Sequence, residues 1–240
     1  MIQDMNIGLS NKNLENETTK QKNKLRIIRH EFDMVGKYKI PLVKKQDIDL
    51  DCIELMNYAK ASIGDIEHSY KTLHFFTYDW HYETVYSKPE TVMEKLGQYY
   101  ALLTPDFSLY TEMSPALQIY STFKNRWCGA FWQSLGARVI PTIEWADEQS
   151  YEFCFDGVEV GSVVAVATYR RHDKDLFMKG YNKMLEVLKP SAIICYGEPF
   201  EQMQGNIKSI DPFDYKELIS KMGREEFMKK YLAGELYPDN

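Results

Sequence analysis

From about Lys71 onward, short runs of apolar, β-branched or aromatic residues alternate with longer segments whose apolar positions recur every three or four residues. The short runs fit strands and the longer segments fit amphipathic helices, so the alternation predicts βα units around a mostly parallel sheet. The expected strands are Leu73 to Tyr78, Phe107 to Tyr110, Arg138 to Ile143, Val163 to Ala167 and Ala192 to Tyr196. Several are apolar almost throughout, as strands covered on both faces are. An earlier unit is expected at Ile40 to Val43, followed by a helix over Leu50 to Ile63 that Asp47 or Asp49 would cap.

The intervening helices carry firmer signals. Ile119, Phe123, Trp127, Phe131 and Leu135 recur every four positions and predict a helix over Pro115 to Leu135 with one wide apolar stripe. Ser114 and Pro115 mark its start and Gly136 its end. A second helix is expected over Asp173 to Leu188, closed by Lys189-Pro190, and a final helix or pair of short helices over Pro212 to Leu232. The fold class is therefore α/β with repeated βα units. A partial or closed (β/α) barrel is preferred, because no strand-to-helix turn carries a glycine-rich phosphate fingerprint and the long connections follow strands. An open doubly wound parallel sheet is the alternative.

Length and charge refine this picture. The 240 residues suit one α/β domain, expected over 37–240, behind a basic and flexible arm over 1–36. Residues 1–46 hold ten Lys/Arg against five Asp/Glu, a local charge of +5 that leaves −11 of the net −6 on the remainder. A basic arm of this kind is either a solvated tail or a contact for phosphates or an acidic partner. No run approaches the roughly 20 apolar residues of a membrane span, and no secretory leader is evident, so a soluble protein of the cytoplasm is expected. The four cysteines, Cys52, Cys128, Cys154 and Cys195, form no C-x-x-C pair, which argues against a zinc knuckle or a disulfide framework and for small core residues. Oligomeric state is left open by the sequence.

In either architecture functional groups collect beyond the C-terminal ends of the strands. There the sequence offers Asp79, His81 and Glu83, then Thr111 and Glu112, then Glu144 and Asp147, then Tyr169, Arg170 and Arg171, and last Glu198. Charged residues also gather after strands simply because loops are solvated. As a set, though, carboxylates at one mouth can serve as general acid and base or hold a hard cation such as magnesium. The candidate catalytic residues are Glu144, Asp79 and Glu112, and the candidate metal ligands are Asp79, Glu112 and Asp147. Glu144 leads because it directly follows an apolar strand beside Trp145, a side chain large enough to shield a site from water. Asp79, His81 and Glu83 would share one face if their strand continued, a weaker metal pattern.

Candidate ligand-binding residues are Asn125, Arg126, Gln133, Trp145, Arg170 and Arg171. Arg126, beside Asn125 and one turn from Gly129, has the fork geometry for a phosphate or carboxylate, with a salt bridge to a neighbouring helix as the bland alternative. Nucleophile motifs, a Walker loop, G-x-G-x-x-G, H-E-x-x-H and zinc-ligand spacings are missing. The seventeen tyrosines and twelve phenylalanines could stack bases. Most fall on core faces, however, and an acidic body repels a phosphate backbone, so nucleic acid is expected only at the arm, if at all.

The run Asn125-Arg126-Trp127-Cys128-Gly129-Ala130-Phe131-Trp132-Gln133-Ser134-Leu135-Gly136, continuing into Val139-Ile140-Pro141-Thr142-Ile143-Glu144-Trp145, resembles the domain of unknown function 4417 family. The resemblance continues through Ser150 to Gly157, Ser162 to Thr168, Lys189-Pro190 and Tyr196-Gly197, and so covers roughly Ile40 to Pro199. It implies a protein of phages, prophages or mobile elements working inside a bacterial host, and it brings no assigned reaction. The residues themselves suggest a hydrolase or transferase acting on a small phosphorylated or nucleotide-like ligand. A non-catalytic module binding a host or phage protein, or sequestering a ligand, is the rival, and a replication accessory using the arm on DNA is a third reading.

Overall fold

The computed structural model describes residues 29, 32–169, 173–212 and 215–232. Seven parallel strands organise it. β3 (Leu55–Asn57), β4 (Thr72–His74), β5 (Ala101–Leu103) and β6 (Val139–Ile140) form one sheet in that order, and β7 (Val163–Ala167), β8 (Ala192–Tyr196) and β9 (Ile207–Ile210) form a second. The chain joins the two sheets just beyond β6. Thr142 makes a parallel bridge to Ala165, with Ile143 N donating to Ala165 O at 2.8 Å and Ala165 N to Pro141 O at 2.8 Å. Strand order thus follows chain order from β3 to β9, without the reversal that defines a doubly wound switch point. Among the described residues no ladder pairs β9 with β3.

Side-chain alternation assigns the two faces of these strands. Leu73, Leu102, Val139, Val164, Val166, Ile193 and Cys195 pack outward into two cores with the helices. Ala101, Leu103, Ile140, Val163, Ala165, Ala192 and Ile194 meet instead in one inner cluster, which Leu55 reaches from β3, Ile53 from just before it and Ile210 from β9. Period-two alternation of residues that are all apolar produces this double burial, the reason that these strands read as continuous apolar runs.

The helices lie outside. α1 (Thr84–Ser87) and α2 (Pro89–Leu96) follow β4, α3 (Pro115–Ser134) follows β5, α4 (Lys174–Leu188) follows β7, and α5 (Tyr215–Met222) and α6 (Arg224–Leu232) end the described chain. Pro115 occupies the first turn of α3, and Asp173 caps α4 by accepting from Leu176 N. Cys128, Cys154 and Cys195 are buried, whereas Cys52 is exposed.

Several expectations are corrected. Phe107 to Tyr110 is a loop, because Phe107 turns into the outer core against Tyr82 and Tyr86; the strand here is β5, upstream. The helix expected over Leu50 to Ile63 is replaced by β3 between two single 3-10 turns, Leu50–Cys52 and Tyr58–Lys60, capped by Asp49 and Asn57. β4 ends at His74, short of Tyr78. The segment Ile40 to Val43 holds β2 (Ile40–Pro41), which pairs antiparallel with β1 (Met34–Val35), before Val43 bridges to Val158. The folded part therefore begins upstream of residue 37: Arg29 is sandwiched between the rings of Tyr86 and Trp127, 4.1 and 3.9 Å from their centroids. The rest of the expected arm, residues 1–28, 30 and 31, lies outside the described residues.

Candidate functional site

The C-terminal ends of the strands open on one side of the molecule, and alternation decides which side chains reach it. Ile143 and Trp145 belong to the outer core, so Glu144 between them faces the inner side at the end of the β6 run, half-buried. By the same parity His74 and Phe76 follow the inner face of β4, Tyr169 that of β7 and Tyr196 that of β8. Ring contacts show that these aromatics meet. Tyr196 lies 4.7 Å from His74 and 4.7 Å from Phe76, nearly parallel to the latter, and Tyr169 meets it edge-on at 5.8 Å. They form an aromatic floor over the inner cluster.

Carboxylates lie on the loops that follow the same strands. Asp79 accepts from Ser108 Oγ at 2.9 Å and Ser108 N at 3.2 Å, tying the loop after β4 to the loop after β5. Its Oδ1 also lies 3.1 Å from the hydroxyl of Tyr82, which sits 2.6 Å from Asp106 O. The Tyr82 ring is fully buried. Burial, followed by the negative charges of Asp106, Asp79 and Glu144, drives its hydroxyl far above the usual tyrosine range. Asp79, one of the expected catalytic residues, bonds this buried hydroxyl directly, whereas the charge of Glu144 adds only the smallest of these effects. Glu112 is exposed on the loop after β5, and Asp147 accepts from Gln149 N at 3.1 Å to cap the 3-10 turn Glu148–Glu152. Among the described residues no group of three or more His, Cys, Asp or Glu is arranged to hold a metal ion. The Asp79, His81, Glu83 run is split by a 3-10 turn, Asp79–His81, and Glu83 pairs instead with Lys124 at 3.2 Å.

Four of the expected ligand-binding residues hold the fold together. Arg126 is 1% exposed, and its guanidinium donates to Asp156 O at 3.1 Å, Thr142 O at 2.8 Å, Cys154 O at 2.9 Å and the side chain of Asn125. Asn125 in turn donates to Pro105 O at 2.7 Å and Thr142 O at 3.2 Å. Burial lowers the Arg126 pKa to about 10, against the smaller opposing effects of Cys154 and Asp156. Gln133 sits at the far end of α3, where its amide bonds Lys44 N and O at 2.9 and 2.7 Å and Gln46 Oε1 at 3.0 Å. Trp145 packs into the outer core against Phe177 at 5.0 Å. Arg170 and Arg171 lie outside the described residues.

His74 is the residue that pattern reading passed over. It is 4% exposed and forms the last position of β4. Its signal in the sequence was an imidazole in the middle of the run Thr72-Leu73-His74-Phe75-Phe76.

Parallel strands in chain order, flanked by helices and carrying acidic and aromatic side chains past their C-terminal ends, define an α/β protein of the βα-repeat class with its candidate site at the strand ends. The chain belongs to the family described as domain of unknown function (DUF4417), which matches residues 32–216. It is similar to the Gene 1 protein of Mycobacterium phage L5, 35% identical over 181 residues that cover 71% of this chain and 76% of that protein. It is also similar to the Gene 1 protein of Mycobacterium phage D29, 40% identical over 129 residues covering 52% of this chain and 48% of that one. No solved structure matches it significantly. No helix among the described residues is long and apolar enough to cross a membrane.

Proposed function

We propose that this is a phage-type protein acting in the cytoplasm of a bacterial host, whose strands curl into a barrel-like cylinder with a small-ligand site at its mouth. The inner cluster shared by β3 and β9, the first and last of the parallel strands, supports the curled reading. The ligand is small and phosphorylated or nucleotide-like, and the reaction a hydrolysis or transfer with Glu144 as acid or base and Asp79 assisting. The observation that carries this is the floor of Phe76 and Tyr196, stacked, with Tyr169 edge-on, at the strand ends where Glu144 faces the inner side. A planar base stacks on such rings, and Arg170 and Arg171, next in sequence to Tyr169, would meet its phosphates.

A thermal-shift screen against nucleotides, sugar phosphates and divalent ions tests this, because a ligand at 100 times its dissociation constant stabilises a protein by about 2.7 kcal/mol. A shift that Glu144→Gln retains while turnover is lost supports the enzyme. No shift across the panel removes the small-ligand reading.

One observation favours a non-catalytic module instead. Tyr78 and Trp80 stack on each other at 4.3 Å and 7° while remaining 42% and 70% exposed at the rim of the same mouth. Paired exposed rings suit a protein partner. If they carry the function, Trp80→Ala abolishes biological activity and Glu144→Gln does not. The DNA-accessory reading rests on the arm alone, and deleting residues 1–28, upstream of the packed Arg29, tests it through salt-dependent DNA binding.

A further inference from the structure

Beside the mouth lies an aromatic face outside the three buried clusters. Tyr110, Leu117 and Tyr120 are each about half exposed, and Trp80, stacked on Tyr78, is more exposed still. Their contacts join them into one surface. Leu117 and Tyr120 are three positions apart on α3 and so share a face of that helix. Tyr110 O accepts from Gln118 at 2.9 Å, which holds Tyr110 against the first turns of α3. The Tyr110 hydroxyl lies 3.2 Å from Ser108 Oγ, the group that bonds Asp79 between Tyr78 and Trp80. Apolar side chains grouped on a surface in this way mark a contact for another segment of protein. The face is also acidic. Residues 76–120 hold six carboxylates against two lysines, and Lys124 beside them is already paired with Glu83 at 3.2 Å.

We propose that this face is the docking surface of the chain's own basic segment, residues 20–28. Three observations commit it to that occupant. The segment enters the described fold at the edge of the face: Arg29 donates to Tyr86 O at 2.8 Å and lies 4.1 Å from the Tyr86 ring, which meets Tyr120 edge-on at 5.9 Å. Its charge is complementary, with Lys20, Lys22, Lys24 and Arg26 and no acidic residue. Its pattern fits a half-apolar surface, because in an extended stretch these four side chains share one side while Leu25 and Ile27 share the other. Nine extended residues span roughly 30 Å, a length that carries the segment from Tyr86 past Tyr120 and Leu117 toward the loops after β4 and β5. Tethering at Arg29 holds it at an effective concentration on the order of millimolar, so it outcompetes a separate chain of equal intrinsic affinity. Leu25 and Ile27 lie against the exposed rings, and the basic side chains reach Glu112 and the other rim carboxylates over their aliphatic stems. The acidic partner of the arm is thus its own domain, and an outside partner of Tyr78 and Trp80 has to displace it. The small-ligand reading plays no part in this inference.

The test is carbodiimide coupling of the full-length protein, made of equal parts of ¹⁴N and ¹⁵N chains and read by mass spectrometry. The expected products join Lys20, Lys22 or Lys24 to Glu112 or another carboxylate of residues 76–120 within chains of one isotope. They should be lost at 1 M salt, where the screening length falls to about 3 Å. Acrylamide quenching of the indoles gives a second reading, because Trp80 is exposed while Trp127, Trp132 and Trp145 are buried. K20Q, K22Q, K24Q and R26Q together should raise the quenching constant, and Trp80→Phe should abolish that rise; near-UV circular dichroism reports whether each variant is folded. Links between chains of unlike isotope identify a second copy as the occupant and overturn the assignment to the same chain. No link to residues 76–120, with quenching unchanged in the glutamine variant, overturns the proposal and leaves the face to an outside protein. Neither failure touches the small-ligand reading, which stands or falls on the thermal-shift screen.

Discussion

The guanidinium of Arg126 ends on carbonyls of residues 142, 154 and 156, drawn from two loops that follow it in the chain by 16 to 30 positions. Its side chain thereby closes the hydrogen bonding of a buried region where α3, the end of β6 and the turn before Gly157 meet. Removing it leaves the carbonyls of Cys154 and Asp156 without this donor and Thr142 O with Asn125 alone, each loss costing on the order of 1–3 kcal/mol. Arg126→Met should therefore lower stability by about 3 kcal/mol or more in urea unfolding; a stable variant that merely loses ligand affinity would return Arg126 to the site. The sequence singles out this arginine by its place on α3, but its acceptors are backbone atoms, which any residue types could supply, so nothing in the letters distinguishes a phosphate fork from an internal brace. His74 poses the reverse case. Its folded pKa near 3 lies below the ordinary histidine value of 6.5, so between those pH values the unfolded chain binds a proton that the native state does not. The stability is complete above about pH 6.5 and is lost as pH falls toward 3, about 2 kcal/mol of it between pH 7.5 and 5. Comparing urea midpoints of the wild type and His74→Phe at those two pH values isolates this contribution from the carboxylates common to both, and equal pH slopes would contradict it.

At the scale of elements, α4 shows how a helix is shaped by what it packs against. A Cβ at Gly180 would lie 2.1 Å from Nε1 of Trp145, so this glycine is the notch that receives the indole. Alanine normally stabilises a helix interior by up to about 1 kcal/mol over glycine. At this position overpacking of about 1–3 kcal/mol should outweigh that gain, and Gly180→Ala should lower the melting temperature. The C-cap of the same helix predicts the opposite sign. Lys189 adopts φ 43° and ψ 55°, the left-handed region that glycine enters at least cost. Lys189→Gly should accordingly raise stability by about 1 kcal/mol in chemical denaturation, and a loss would mean that the lysine side chain contributes more than its backbone strain. The limits of α3, α4, β7 and β8 were legible because their apolar spacing and their caps agree. β3, β5 and β9 were not. They are three or four residues long, below the length at which period-two alternation becomes visible, and their pairing partners lie in distant sequence.

On the scale of the whole molecule, the junction of Thr142 with Ala165 makes two short sheets share one inner core. Breaking either sheet exposes residues that the other also buries, so calorimetry should show a single cooperative unfolding transition; two separated transitions would mean that the β3–β6 and β7–β9 layers fold independently. The sequence alone determined the βα alternation, the doubly buried strands and the long helix α3, because each rests on periodicities that only backbone geometry is needed to interpret. It also singled out Glu144 as a candidate, because this residue directly follows an apolar strand beside Trp145. Only the tertiary structure decided that Asp79 bonds the hydroxyl of the buried Tyr82, that Arg126 and Gln133 bond backbone groups inside the fold, and that His74 joins the aromatic floor. Most of these relations join residues far apart in the chain, and they are set by the order in which parallel strands lie side by side, which no local pattern of apolar and polar residues encodes.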